Sequence, residues 1–197
     1  IGRSMLASLG FVASVLSEDL STSRTCRLRN ASDVRMRELI EENLTALERV
    51  IAFLERHHVH LYRISSNLIP FASHPINTIP WWKEHAGRFK RIGTRLLKSR
   101  IRVSTHPGQY TVLNSPHPAI VSAARAELIY HARLLDALGV TTASKIVVHV
   151  GGLYGGSESD AMDRFIATAK RLPTAVRRRL VVENDDRLFD ADEALAV

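Results

Sequence analysis

The sequence predicts an α/β fold whose core is a parallel sheet, laid down as about five βα units in the manner of an incomplete (β/α)8-type barrel. Three observations lead there. Five short runs rich in β-branched or apolar residues recur along the chain, at Leu6–Ala13, His60–Ser65, Ile101–His106, Lys145–Val150 and Leu180–Asn184. The first four are each followed by a long stretch with apolar residues at three- and four-residue steps, and a fifth such stretch begins before Val197. Strands that alternate with helices at intervals of about 35 to 55 residues form parallel sheets, because each crossover returns the chain to the same edge.

A doubly wound sheet and a barrel both satisfy this alternation. Against the former, no G-x-G-x-x-G follows the first strand; Leu9-Gly10-Phe11 leads into a loop rich in Ser, Thr and Arg. A closed barrel usually takes about 250 residues, whereas this chain has 197 and stops inside a capped helical segment. The later strands are therefore expected to be missing, and the odd Ile1–Ser4 start suggests an irregular N-terminus as well. A single, partial barrel domain is expected over residues 1–197.

The elements follow in order. The first helix carries Met36, Ile40, Leu44, Leu47, Ile51 and Leu54 on one stripe, with Glu41, Glu42, Glu48 and Arg49 on other faces. Ser32 is placed to cap its start. Further helices are predicted over Phe89–Leu97, Ile120–Leu138 and Ala161–Leu172, with Pro116 or Pro118 near one start and Gly139 as a stop. Ser157 with Asp160, and Asp190 with Glu193, have the spacing of capping boxes for the fourth and fifth helices.

With 45% hydrophobic residues the chain can bury one substantial core. No apolar run approaches the roughly 20 residues that cross a bilayer, and no signal peptide opens the chain. The one cysteine, Cys26, can neither close an internal disulfide nor form a C-x-x-C zinc site. A cytoplasmic protein without a membrane or obligate protein partner, and monomeric, is the expectation. The net charge of +7 favours a polyanionic partner, since neutralising phosphates releases condensed counterions.

Polar residues fall where the strands end: His106 after the third run, His149 after the fourth, Glu183 after the fifth. A further histidine, His74, lies in the loop after the second. A lone histidine is more often a hydrogen-bonded scaffold residue. Three ligand-type residues at three successive strand ends shift the balance to a metal site, because the ends of barrel strands converge at one mouth. Neutral imidazoles with a carboxylate suit Zn²⁺ or Mn²⁺, and a bridging Glu can hold two ions for in-line attack on a phosphodiester. Beside His106, Gln109 and Tyr110 offer an amide and an aromatic ring that could wedge into a duplex, or Tyr110 could pack on the barrel rim. Arg24, Arg27 and Arg29 follow the first strand, on the same face as the ligands, and suit phosphate contacts. Arg177, Arg178 and Arg179 precede the fifth strand and are expected as a solvated cluster on the opposite face. Gly151-Gly152 and Gly155-Gly156 allow either close backbone approach to a phosphate or a simple turn.

Six ordered blocks then resemble the UV damage endonuclease family. They are Ser23-Arg24-Thr25-Cys26-Arg27-Leu28, Leu61-Tyr62-Arg63-Ile64-Ser65-Ser66, Leu68-Ile69-Pro70-Phe71-Ala72-Ser73-His74-Pro75, His106-Pro107-Gly108-Gln109-Tyr110, His149-Val150-Gly151-Gly152 and Glu183-Asn184-Asp185-Asp186. The resemblance implies a TIM barrel that holds a cluster of divalent ions, usually manganese, with Zn²⁺ or Mg²⁺ as alternatives. It implies cleavage of double-stranded damaged DNA immediately 5′ to cyclobutane dimers, 6-4 photoproducts and some abasic sites. By that pattern His74, His106, His149 and Glu183 are metal ligands, and Gln109 and Tyr110 are the pair that probes the helix at the lesion. Remaining ligands of the family lie on later strands. Some relatives have Tyr and Asn where this chain has Phe11 and Val15; Phe11 can still stack on a lesion, but Val15 cannot donate a hydrogen bond. The alternatives are another divalent-metal barrel, either an abasic-site nuclease of the endonuclease IV kind or a sugar isomerase, and an inactive DNA-binding fragment.

Overall fold

A computed structural model describes residues 9–183. Five parallel strands form one sheet: β1 (Gly10–Val12), β4 (Leu61–Ile64), β5 (Arg102–Thr105), β6 (Ile146–Val148) and β7 (Leu180–Val182), adjacent in that order. A small antiparallel hairpin, β2 (Ser14–Val15) with β3 (Leu20–Ser21), follows β1 inside what the sequence presents only as a polar loop. The strands sit inside the five runs read from the sequence. Of those runs Leu6–Ser8 and Asn184, and the capping pair Asp190 and Glu193, lie outside the described residues.

Helices α1 (Asp33–Arg56), α3 (Ala86–Lys98), α4 (Pro118–Ala137) and α5 (Glu158–Ala169) fill the crossovers, with single-turn helices α2 (Trp81–Glu84) and α6 (Thr174–Arg177) between them. α1 begins where Ser32 accepts from the Arg35 amide at 3.2 Å, and it buries Met36, Ile40, Leu44, Leu47, Ile51 and Leu54 completely. α4 starts on Pro118, whose missing N–H is one the first helical turn leaves unbonded anyway, and is stopped by Gly139 at φ +66°. α5 starts at Glu158, earlier than the apolar pattern implies, because Ser157 and Asp160 cap each other there: the Asp160 amide donates to Ser157 Oγ at 3.1 Å and the Ser157 amide to Asp160 Oδ2 at 3.0 Å. The short α2 and α6 escape a periodicity test because one turn has no period to show.

Strand residues alternate between two environments. Tyr62, Ile64, Val103, Thr105, Ile146 and Val148 are buried under the helices, while Leu61, Arg63, Ser104 and Val147 between them are more open. Period-two alternation assigns the second set to the concave face. Tyr62 keeps its proton, since burial pushes the phenol up to about 12, and donates to the Ala13 carbonyl at 3.0 Å.

The run Arg177–Arg179 divides, against the expectation of a solvated cluster. Arg177 and Arg178 are exposed, but Arg179 is only 5% exposed. Its guanidinium donates to the carbonyls of Thr141, Val140 and Ser144 at 2.6, 2.9 and 3.3 Å and to Asp136 Oδ1 at 2.8 Å. The end of α4 and the loop after it leave carbonyls without helical partners, and a planar fork of donors satisfies several at once.

Candidate metal centre

His106, His149 and Glu183 each stand directly after the last residue of their strand, in step with Ser104, Val147 and Val181. That parity aims all three side chains to the concave face at the C-terminal rim. Glu183 is still held in register there, its amide donating to the Val148 carbonyl at 2.8 Å. The three residues each offer a ligand atom, and these atoms lie within 4.8 Å of one another. The imidazoles of His106 and His149 are tilted at 57° with centroids 5.1 Å apart.

The hydrogen bonds of His106 define its ligand atom. Nδ1 lies 2.9 Å from the Pro107 carbonyl, and Nε2 lies 3.0 Å from Glu183 Oε2. A carbonyl oxygen only accepts, so Nδ1 carries the proton. In the neutral ring Nε2 then turns a lone pair towards a carboxylate, an arrangement that calls for a cation between them or a second proton. Fixing Nδ1–H on a carbonyl is how proteins orient a histidine to bind metal through Nε2. The residues present therefore fit a divalent cation.

His74 is not in this group. It is exposed, and its Nδ1 accepts from the Ile76 amide at 3.1 Å. The neutral ring consequently carries its proton on Nε2, the opposite tautomer to His106. In this arrangement no ligand atom of His74 stands with those of the other three.

The loop after β5 presents Gln109 and Tyr110 to solvent, with Tyr110 82% exposed; it does not pack on the rim. Tight turns hold it, the Thr111 amide on the Gly108 carbonyl and the Val112 amide on that of Tyr110. Two residues that the sequence reading missed join this loop to the one after β6. Asn114, fully buried, donates to the Gly152 carbonyl at 2.9 Å. Arg164 donates to the carbonyls of Asn114 at 2.9 Å and Leu153 at 3.0 Å. Gly151 has φ +109°, and a Cβ there would stand 2.3 Å from Asn114 Oδ1. Close packing between loops, rather than approach to a phosphate, accounts for that glycine.

Arg24, Arg27 and Arg29 are exposed in the loop after the hairpin. Arg24 lies 3.7 Å from Glu42; Arg27 and Arg29 form no ion pair among the described residues. Asn43, buried in the apolar stripe of α1, anchors this loop. Its Oδ1 accepts from the Arg24 amide at 2.8 Å, and Nδ2 donates to the carbonyls of Arg24, Asn67 and Leu68 at 2.9–3.2 Å. The signal was present as one amide in an otherwise apolar stripe. Glu127 and His131 on α4 similarly brace the loop that bears His74. His131, fully buried, lies 3.2 Å from Glu127, and the Ser73 hydroxyl donates to the same carboxylate.

Phe11, expected as a lesion contact, is not at the site. Its ring packs edge-on against Phe53 and Tyr62, with centroids 5.9 and 5.4 Å away, because strand parity pairs it with Tyr62 on the helix-covered face. Val15 is buried.

Fold and rim together define a TIM-barrel-type protein with a His/His/Glu centre at the C-terminal ends of its strands. The family model for UV-endonuclease UvdE matches residues 7–197, and the chain belongs to that family. A UV DNA damage endonuclease of Clostridium perfringens is 34% identical over 189 residues, covering 96% of this chain and 46% of that protein. One of Bacillus cereus is 31% identical over 201 residues, covering 98% and 63%. The crystal structure of SacUVDE superimposes with a TM-score of 0.91 at 36% identity, covering 95% of this chain and 64% of that one. The chain thus spans about half to two thirds of the length of the proteins it matches. Among the described residues no helix is long and apolar enough to cross a membrane.

Proposed function

We propose that the protein is a DNA repair endonuclease that nicks double-stranded DNA immediately 5′ to ultraviolet photoproducts, and at some abasic sites, by metal-assisted hydrolysis of the phosphodiester. The observation that carries this reading is the convergence of His106, His149 and Glu183 to within 4.8 Å in a chain of the UvdE family.

His106 through Nε2, His149, and Glu183 would hold a divalent cation, with manganese the first choice and zinc or magnesium the alternatives. When bound, such an ion supplies Lewis-acid stabilisation of charge on the phosphoryl oxygens and lowers the pKa of coordinated water. His106 contributes an orientation already fixed by its bond to Pro107. His74, which the family pattern makes a further ligand, would have to turn its ring from the Ile76 amide to reach that ion. Gln109 and Tyr110, on a loop braced by Asn114 and Arg164, would enter the duplex beside the lesion, where a displaced base leaves a space an aromatic ring can fill. Arg24, Arg27 and Arg29 would contact phosphates and set the register of the duplex.

The test is nicking of ultraviolet-irradiated plasmid by the full-length protein. Manganese should support nicking, excess chelator should abolish it, and undamaged plasmid should stay largely supercoiled. Nicking that persists in chelator would remove the metal mechanism; equal nicking of undamaged plasmid would remove the lesion reading.

A further inference from the structure

Tyr154 lies five residues beyond His149, on the same rim, and is held in a conformation that tyrosine seldom adopts. Its φ is +55° and that of Gly155 is +80°. The Gly156 amide donates to the Leu153 carbonyl at 3.1 Å. Positive φ at both central residues of such a turn is the type I′ pattern, whose first central position is normally Gly, Asn or Asp. A bulky side chain there is strained by its own Cβ.

Core packing does not account for it. Phe71 also has a positive φ, at +54°, but its ring packs on the core. The Tyr154 side chain leaves the residue 46% exposed, and its ring lies over the backbone of Gly152, where an added Cβ would meet Cε2 at 3.7 Å. The turn itself is braced: the Leu153 carbonyl also accepts from Arg164, which donates to the Asn114 carbonyl on the loop of Gln109 and Tyr110. Two exposed tyrosines are thereby presented on loops bonded to each other, beside His106 and His149. Backbone strain maintained to expose an aromatic ring on a braced loop marks a contact residue.

We propose that Tyr154 is a second aromatic contact to DNA, stacking on a nucleobase near the cleaved bond while Gln109 and Tyr110 probe the lesion. This rests on the DNA-repair reading above. The experiment measures binding of the full-length protein to a photodimer duplex by fluorescence anisotropy, with melting temperatures, for wild type, Tyr154→Phe, Tyr154→Ala and Tyr154→Gly. Stacking on one base predicts that the Ala and Gly variants bind about 10-fold more weakly, while Phe, which keeps the ring, stays within about twofold. Glycine takes φ +55° without strain, so Tyr154→Gly should melt no lower than wild type even as it binds worse. Wild-type binding by Tyr154→Gly would overturn the assignment. So would loss of binding that tracks a lowered melting temperature, or a Phe variant as weak as Ala. Failure of the wild type itself to prefer the photodimer duplex would overturn the repair reading, and Tyr154 with it.

Discussion

The two rims of the sheet both gather charged groups, and they treat them in opposite ways. At the N-terminal rim, Arg179 is buried and each branch of its fork meets oxygen, four acceptors between 2.6 and 3.3 Å. At the C-terminal rim, the Nε2 lone pair of His106 faces a Glu183 oxygen 3.0 Å away, with His149 alongside and no bridging donor from the described residues. A charge that serves the fold is saturated by the protein's own groups, since each unmet partner inside costs stability. The groups at the other rim are left mutually unsatisfied, which is what the proposed cation site requires. The difference sets the saturated Arg179 cluster apart from the cluster proposed here to be functional.

Breaking the open rim should cost the most activity and little stability. In the full-length protein, Glu183→Gln removes a carboxylate charge at nearly constant shape. Cleavage of irradiated plasmid should fall on the order of 10²–10³-fold, the scale of losing one group that stabilises transition-state charge. Its melting temperature should hold or rise, because a repulsive lone-pair contact has gone. Manganese affinity by calorimetry should drop in parallel. Full activity of the variant would mean that Glu183 is not a ligand.

Breaking the saturated rim should do the reverse. Arg179→Met keeps the aliphatic stem but strips donors from three carbonyls and from Asp136. A loss of about 3 kcal/mol in chemical denaturation is expected, the scale for leaving buried carbonyls without donors. The remaining folded protein should bind manganese normally. A stability within about 0.5 kcal/mol of wild type, the usual range for a surface change, would return Arg179 to the solvated class.

How much of this is legible in the sequence follows from which interactions are local. The strands and the convergence of His106, His149 and Glu183 at one rim can be read because alternation and parallel direction place every strand end without tertiary detail. The environment of Arg179 cannot, because its acceptors come from residues some 35 to 43 positions away, and a run of three arginines looks uniformly solvated in composition. Phe11 escapes for the converse reason, since a family position is read without the strand parity that turns its ring to Phe53 and Tyr62. The difference between His106 and His74 depends on one backbone amide and one carbonyl beside each ring, and no residue pattern encodes that. Asn43 was readable in principle, as the one amide on the stripe between Ile40 and Leu47.

Asn43 sharpens the comparison at intermediate size, being saturated like Arg179 yet attached to a loop of the functional rim. Asn43→Leu preserves volume and leaves the Arg24 amide and three carbonyls to water, for an expected cost of about 2 kcal/mol. Unlike Arg179→Met, it should also weaken binding to a duplex, because the segment that carries Arg24, Arg27 and Arg29 loses its anchor. Unchanged affinity in a folded variant would detach those arginines from the DNA-binding role.

The smallest effect is expected for the double change Arg177→Ala with Arg178→Ala. Both side chains are exposed, and the hydrogen bonds there, from the two amides to Pro173 and Thr174 and from Lys145 Nζ to the Arg178 carbonyl, use backbone groups that alanine retains. Stability should stay within about 0.5 kcal/mol. The stronger discrimination lies in salt dependence, where the logarithm of affinity falls against that of salt with a slope of about −0.9 per phosphate neutralised. Residues on the rim opposite the metal centre touch no phosphate of a duplex bound there, so removing two positive charges should leave that slope unchanged. A slope shallower by nearly two would put the DNA on both rims, and saturation would then no longer separate the structural end of the sheet from the functional one.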